Sequence, residues 1–396
     1  MRITSVECHV LLQPTYDITA ASSAQDDIIV EIHTDEGVTG IGETDVNPWI
    51  AKACIEAPGS HNMGVGLTEM LIGADPLDVE ALWERLYVGS AMNGRRGAVI
   101  NAIGALDIAL HDLRGKALGK PCYELLGGAS QQAITPYASL QPETSSYEEY
   151  RDSMVEWARK AVAAGFQAVK TEITLEGPYA HTGLREPWER STEILARVRD
   201  AVGPDVAVLV DVQYAFPNAD VALQVLKTWT DYDLFFVETP LWPDDLDGYR
   251  RLAAEQPIPI AAGEWLTTRF EQVDLMDRGK VRIVQPDIGR VGGLTEARRV
   301  CQLAAERGLQ VVPHLWKTGV SVAAAVHLAA ATPHCPYIEY MPADLTASGL
   351  RRDVADDGVR LVGGKVSLPT RPGLGVEVNW DAVKYYEAAA RKAYSL

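Results

Sequence analysis

The sequence predicts an α/β protein: a (β/α)8 barrel of the TIM type, modified by an α+β capping domain that the N-terminus and the C-terminal segment build together. Three observations carry this. From about Ile134 onward, short apolar runs alternate eight times with helix-like segments. Such alternation implies a parallel sheet, and eight units imply closure into a barrel. Residues 1–125 have another texture, strand patterns followed by long helical ones, and about thirty residues at the end leave the alternation again. The expected boundaries are 1–125 for the cap with its lid loops, 126–365 for the barrel, and 366–396 for the segment that returns to the cap.

In the first region, the alternation in "ITSVECHVLL" and "DIIVEIHTDEGVTGIGE" predicts two or three antiparallel strands. Helical periodicity follows in "DPLDVEALWERLYVGS" and "AVINAIGALDIALHDLRGKALG". Two irregular pieces, Pro14 to Ala24 and Asp45 to Gly64, are of a size that in compact domains more often makes functional lids than filler. In the second region the apolar runs end near Tyr137, Lys170, Asp211, Glu238, Glu264, Asp287, His314 and Glu339. From Asp211 on, these ends recur about every 25 residues. Segments such as "YEEYRDSMVEWARKAVAAG" and "TEARRVCQLAAERG" supply the helices between them.

Bulk properties narrow the function. The chain has 396 residues, 47% hydrophobic and 23% charged, with a net charge of −18. That balance argues against nucleic acid or an anionic membrane as partner. An acidic substrate would have to be drawn in by local positive charge, such as a metal ion. "MRITSVECHV" lacks the pattern of a signal peptide, and no apolar run approaches the roughly 18 residues of a membrane span. Five scattered cysteines without a CxxC pair read as reduced thiols, so a cytoplasmic protein is expected.

In a (β/α)8 barrel the C-terminal strand ends converge on one mouth, where the active site is built. The polar strand-end residues therefore become neighbours. Asp211, Glu238 and Glu264 end three consecutive strands, in "VLVDVQ", "FFVETP" and "IAAGEW". Three hard oxygen donors with no cysteine and no nearby histidine pair describe a Mg²⁺ site, one ion per active site. A single strand-end carboxylate is better read as meeting solvent, but three in succession favour the metal. Asp287 in "RIVQPDIGR" and His314 in "LQVVPHLW" end the next two strands. An aspartate on one ring nitrogen fixes the tautomer and leaves the other nitrogen as a base. The other seven histidines (His9, His33, His61, His111, His181, His327 and His334) are read as satisfied locally, with His61 held open because it falls in an expected lid.

Lys170 ends the second strand in "GFQAVKTEI", with Glu172 on the same face at i+2. Such a lysine is a base, a fixed positive charge for a substrate carboxylate, or half of a Lys–Glu surface pair. Glu339 in "PYIEYMP" completes the ring opposite Lys170, and would donate a hydrogen bond to substrate if its surroundings kept it protonated. Trp316 and Lys317 follow His314 and are candidates for substrate recognition. There is no GxSxG for serine chemistry and no GxGxxG in a strand–helix setting.

Taken together these residues resemble the enolase superfamily, in its mandelate racemase-like branch, over essentially the whole chain. "ALDIALHDLRGKALGKPCYELLGG" looks like that branch's entry to the barrel, and "RPGLGVEV" like its return to the cap. The resemblance implies that Asp211, Glu238 and Glu264 are Mg²⁺ ligands, Asp287 and His314 the Asp–His dyad, and Glu339 the electrophilic glutamate. It implies removal of the proton α to a carboxylate to give a metal-stabilised enediolate, and a homo-oligomeric assembly. The lids, around Tyr16 to Ala24 and Asn47 to Gly64, would contact the distal substrate.

One departure matters. The branch usually presents Lys-x-Lys on the second strand, and this chain has Lys170-Thr171-Glu172. Losing the second lysine disfavours a two-base racemase and favours dehydration, although Glu172 could itself act as an acid or base. A milder departure is Gln213 where the branch often has asparagine. The expectation is a Mg²⁺-dependent acid-sugar dehydratase giving a 2-keto-3-deoxy acid, acting on a small-molecule carboxylate. An epimerase, racemase or lactone cycloisomerase of the same superfamily, or a non-catalytic metal-binding relative, is the alternative.

Overall fold

The computed structural model describes residues 1–396 except 21, 143, 145, 181–183, 342–344, 347, 357 and 395–396. His181 therefore lies outside the described residues. Strands β1 (Ile3–Leu12), β2 (Asp26–Thr34) and β3 (Thr39–Glu43) form an antiparallel sheet in that order. Helix Ala98–Leu118 lies flush against it, because β3 offers glycine at the contact. A Cβ on Gly40 would come within 2.0 Å of the Ala109 carbonyl oxygen, and one on Gly42 within 1.9 Å of that of Ala105. On its barrel side, Gly104 meets the Gly289 carbonyl just as closely. This helix is apolar nearly all round because it is sandwiched. Its few polar residues act as clips between parts of the fold. Asp112 accepts from Ile41 N of β3 and from Leu374 N near the C-terminus, and Asp107 accepts from Thr295 N of the barrel.

The barrel strands are β4 (Pro136–Leu140), β5 (Ala168–Glu172), β6 (Ala207–Asp211), β7 (Leu234–Glu238), β8 (Ile260–Ala262), β9 (Ile283–Val284), β10 (Gln310–Val311) and β11 (Ile338–Tyr340). They pair in parallel in the order β10-β9-β8-β7-β6-β5-β4-β11. The eight strand ends thus lie around one curled sheet, with β11 against β4 and a seam between β10 and β11. Tyr137, Ala168, Leu209, Phe236, Ala261, Ile283 and Val312 form one buried cluster, the filled interior of the barrel. Side chains two residues further along a strand share that inward face. This rule alone brings Lys170, Asp211, Glu238 and His314 to the mouth, one level above the apolar layer.

After the barrel the chain returns, and the C-terminal helix Trp380–Ala393 packs on β1, with Ala390 among Val10, Leu12, Tyr16 and Trp49. The piece from Asp45 to Gly64, expected to be irregular, contains helix Pro48–Glu56. Asn47 caps it through Oδ1 and Pro48 opens it. No helix among the described residues is long and apolar enough to cross a membrane. All five cysteines are free.

Candidate active site

A cavity of about 350 Å³ opens at the C-terminal ends of the barrel strands. Lys170, Glu172, Asp211, Glu264 and His314 line it, together with Ser22 and Ser23 from the first expected lid. The second expected lid does not reach the cavity through any of residues 47–64, and His61 is exposed with its Nδ1 accepting from Met63 N. A wider cleft of about 680 Å³ lies between the loop after β11 and the C-terminal segment. It is lined by surface charges of both signs, such as Arg352, Asp356 and Glu377, and by none of the converging strand-end carboxylates. The chemistry therefore belongs to the smaller cavity.

Asp211 and Glu238 are cross-strand partners in register, and Glu264 follows β8 just past Gly263, whose φ of +123° turns the chain there. The three carboxylates reach the same rim but do not converge on one point. Lys170 Nζ is 2.9 Å from Glu238 Oε2 and 3.4 Å from Asp211 Oδ2, while Glu264 Oε2 is 3.0 Å from His314 Nε2. Each acid has thus turned to the nearest cation. All three are buried, and Glu238 Oε1 has no hydrogen-bond partner among the described residues. Hard oxygen donors on three adjacent strands, one of them with an unsatisfied buried oxygen, fit an oxygen-ligated divalent cation. Burial, with Asp211 and Glu339 adding to it, pushes the Glu238 carboxyl up despite Lys170. A cation at this rim would reverse that.

His314 Nδ1 lies 2.8 Å from Asp287 Oδ2. Asp287 also caps the short helix Ile288–Val291 by accepting from Arg290 N, so its carboxylate is held from two sides. Burial disfavours the imidazolium, but Glu264 and the Asp287 hydrogen bond outweigh it, and the His314 pKa rises to about 9.

Four expectations need correction. Glu339 is not opposite Lys170 but in contact with it, Oε1 lying 2.8 Å from Nζ, because β11 pairs with β4 and only that strand separates the two residues. Nor is Glu339 a protonated donor. Against its burial, Lys170, His314 and the Leu315 N–H lower its pKa, so it is an ionised acceptor. Lys170 and Glu172 are not a surface pair, since both are buried and Glu172 Oε2 accepts from Gln141 Nε2. Trp316 does line the cavity, but Lys317 is spent elsewhere. Its ammonium donates to Ser23 O at 2.6 Å, Asp26 O at 2.7 Å and Asp26 Oδ1 at 2.8 Å, anchoring the first lid to the barrel.

Sequence reasoning missed Asp45, Arg290 and Tyr214. Asp45 leaves the cap sheet and is buried between two cations. Arg290 donates to its carbonyl at 2.8 Å and to its Oδ2, and Lys317 lies 3.4 Å from its Oδ1. One oxygen of Asp45 falls within 4.8 Å of ligand atoms of Asp287 and His314. Tyr214 lines the cavity and hydrogen-bonds Glu264. It follows Gln213, and the pair has φ values of 59° and 43°, two consecutive non-glycine residues in the left-handed region. Backbone strain of that kind clusters at functional sites. Gln213 N donates to Asp211 Oδ1, locking that carboxylate.

A filled eight-stranded parallel barrel with acids, a lysine and an Asp–His pair at its mouth, under a strand-and-helix cap, defines a class of barrel enzymes. The model of the mandelate racemase / muconate lactonizing enzyme N-terminal domain matches residues 2–127, and that of the enolase C-terminal domain-like family matches residues 153–382. The chain belongs to the mandelate racemase / muconate lactonizing enzyme family of the enolase superfamily, and it is an enzyme. It is 32% identical to D-galactarolactone cycloisomerase of Agrobacterium fabrum, over 97% of this chain and 98% of that protein. It is 30% identical to D-xylonate dehydratase of Haloferax volcanii, over 90% of this chain and 84% of that protein. Among solved structures it resembles the 3,6-anhydro-D-galactonate cycloisomerase from Zobellia galactanivorans, with a TM-score of 0.85, 31% identity, and coverage of 98% and 99% of the two chains.

Proposed function

We propose that the protein is a Mg²⁺-dependent acid-sugar dehydratase that converts a 2,3-dihydroxy carboxylate into its 2-keto-3-deoxy acid. One observation carries the reading: His314 lines the cavity, with Asp287 held on its far nitrogen at 2.8 Å. The carboxylate of Glu264, 3.0 Å from Nε2, is what chiefly holds a proton there. With Glu264 given over to a cation that pull is removed. The Nδ1–H still donates to Asp287, and Nε2 is the atom left to take the proton α to the carboxylate. Electrons from that C–H bond form the enediolate. As it collapses, the C3–O bond breaks, the imidazolium returns its proton to the departing oxygen, and water leaves. The resulting enol tautomerises to the 2-keto acid. Asp211, Glu238 and Glu264 would hold the divalent cation, which when bound supplies Lewis-acid stabilisation of the charge developing on the substrate carboxylate. Lys170, engaged by Glu238, Glu339 and Asp211, serves as fixed positive charge rather than as a second base. Glu172, tied to Gln141, stands where a second base would be needed for racemisation. The likeness to a D-xylonate dehydratase supports this choice of chemistry.

A second reading, lactone cycloisomerase, is favoured by the 32% identity to such an enzyme over nearly the whole of both chains. It shares the α-proton step and differs in that the leaving oxygen stays tethered, so no water is lost. Proton NMR in D₂O with Mg²⁺, across mono- and diacid sugars and their lactones, separates the two. A 2-keto-3-deoxy product from an open-chain acid is expected. Turnover of lactones alone would select the cycloisomerase, and α-deuteration without elimination would overturn both.

A further inference from the structure

The face of the cap sheet that is turned away from the cap's own helices carries a second cluster of ligand-bearing side chains, none of which lines the cavity at the mouth. Glu7 on β1 and Glu31 on β2 are direct cross-strand partners. Two carboxylates facing each other in this way are destabilising unless something positive lies between them. Two imidazoles flank the pair on opposite diagonals. His9 brings Nε2 to 3.2 Å from Glu31 Oε2, and His33 brings Nε2 to 3.6 Å from Glu7 Oε1 and 3.9 Å from Glu31 Oε2. One ligand atom from each of Glu7, His9 and Glu31 lies within 4.8 Å of the other two. Ligand bonds of about 2.0–2.2 Å in a tetrahedron set neighbouring donor atoms roughly 3.3–3.6 Å apart, close to the His9–Glu31 and His33–Glu7 separations, while His33 stands outside the group of three.

The far sides of the rings point the same way. His33 Nδ1 is hydrogen-bonded to Thr39 Oγ1 at 3.0 Å, which aims Nε2 at the carboxylates. That Nε2 is buried and makes no hydrogen bond among the described residues. His9 Nδ1 faces Glu387 Oε1 of the C-terminal helix at 3.7 Å, and its ring sits edge-on to Trp380 with centroids 5.5 Å apart. A histidine with a ligand on one nitrogen and an oxygen partner on the other is the usual arrangement around a protein-bound metal. Glu7 stays 57% exposed, leaving an entry path and room for water.

We propose that Glu7, His9 and Glu31 bind one divalent transition-metal ion of the zinc class, with His33 Nε2, aimed at the two carboxylates from beside that group, closing on the ion as it binds. Mixed imidazole and carboxylate donors suit such an ion, whereas the all-oxygen set at the barrel mouth suits Mg²⁺. The ion would join β1 to β2 and, through His9 and Glu387, steady the C-terminal helix on the sheet. The inference is independent of the reaction proposed above.

Co²⁺ titration of the full chain in excess Mg²⁺, followed by visible d–d absorption, is the test. One equivalent is expected to bind with a nitrogen-ligated spectrum and to be displaced by Zn²⁺. The band is expected to survive in His61→Gln, to vanish in His9→Gln, and to weaken at least tenfold in affinity in Glu7→Gln, a half-open position whose change leaves the fold intact. If wild-type protein binds no Co²⁺ in excess Mg²⁺, or if His9→Gln and Glu7→Gln both bind as wild type does, the cluster holds only protons and the proposal is wrong.

Discussion

His327 gives the sharpest link between a buried group and solution behaviour. It sits where three parts of the fold meet: Nδ1 accepts from Tyr123 N at 3.1 Å, and Nε2 lies 3.1 Å from the Leu374 carbonyl. An amide N–H on one nitrogen and a carbonyl on the other fix the neutral tautomer, because a protonated ring would set two donors against each other. Burial lowers its pKa from the ordinary 6.5 to about 4, the Leu374 carbonyl opposing only in part. Below pH 6.5 the unfolded chain therefore takes up a proton that the folded chain refuses. The contribution is fully present above pH 6.5 and is lost as pH falls toward 4. At about 1.4 kcal/mol per pH unit, the loss amounts to about 3 kcal/mol across that window. His111, buried beside Thr295 with a pKa lowered to about 3, acts in the same direction. Urea unfolding from pH 7.5 to 4.5 should thus show His327→Gln less stable than wild type at neutral pH, with the gap narrowing by about 3 kcal/mol on acidification. Parallel stability curves for the two proteins would refute the tautomer argument.

Other consequences concern how the cap is held on the barrel. Asp45→Ala leaves Arg290 and Lys317 buried without their shared carboxylate, which should cost about 3–5 kcal/mol in urea unfolding. A loss under about 1 kcal/mol would mean the pair is not what docks the cap. Gly42→Ala drives a methyl to 1.9 Å from the Ala105 carbonyl, a backbone atom that cannot swing aside. The helix must back off the sheet, for about 1–3 kcal/mol, and an unchanged unfolding midpoint would refute the flush contact.

The barrel and most of its mouth were legible because two local signals coincide. Apolar runs mark the strands, and the period of two carries Lys170, Asp211, Glu238 and His314 to one face whatever the details of packing. What was not legible depends on partners distant in sequence. Arg290 and Asp45 are 245 residues apart, and nothing around either residue announces the other. Lys317 read as a recognition residue because only the fold reveals that Ser23 and Asp26 already occupy it. The position of Glu339 beside Lys170 followed from which strands pair, which the order of residues does not state. Helix Pro48–Glu56 is a different case. Asn47 followed by Pro48 is a helix-start signal that the sequence does carry, inside a piece that otherwise reads as irregular. His9 and His33 looked ordinary because the carboxylates they meet come from the neighbouring strand and, for His9, from the C-terminal helix.

The central claim is that His314 removes the α-proton. Single-turnover proton NMR in D₂O on His314→Asn, with Mg²⁺ and the acid sugar that the wild-type enzyme consumes, tests it most directly. Loss of a positioned general base predicts a fall of about 10²–10⁴-fold in both elimination and α-deuterium exchange, with the substrate still bound. Near-normal elimination by the variant would contradict the account, and would send the search for the base to Glu172 or Lys170.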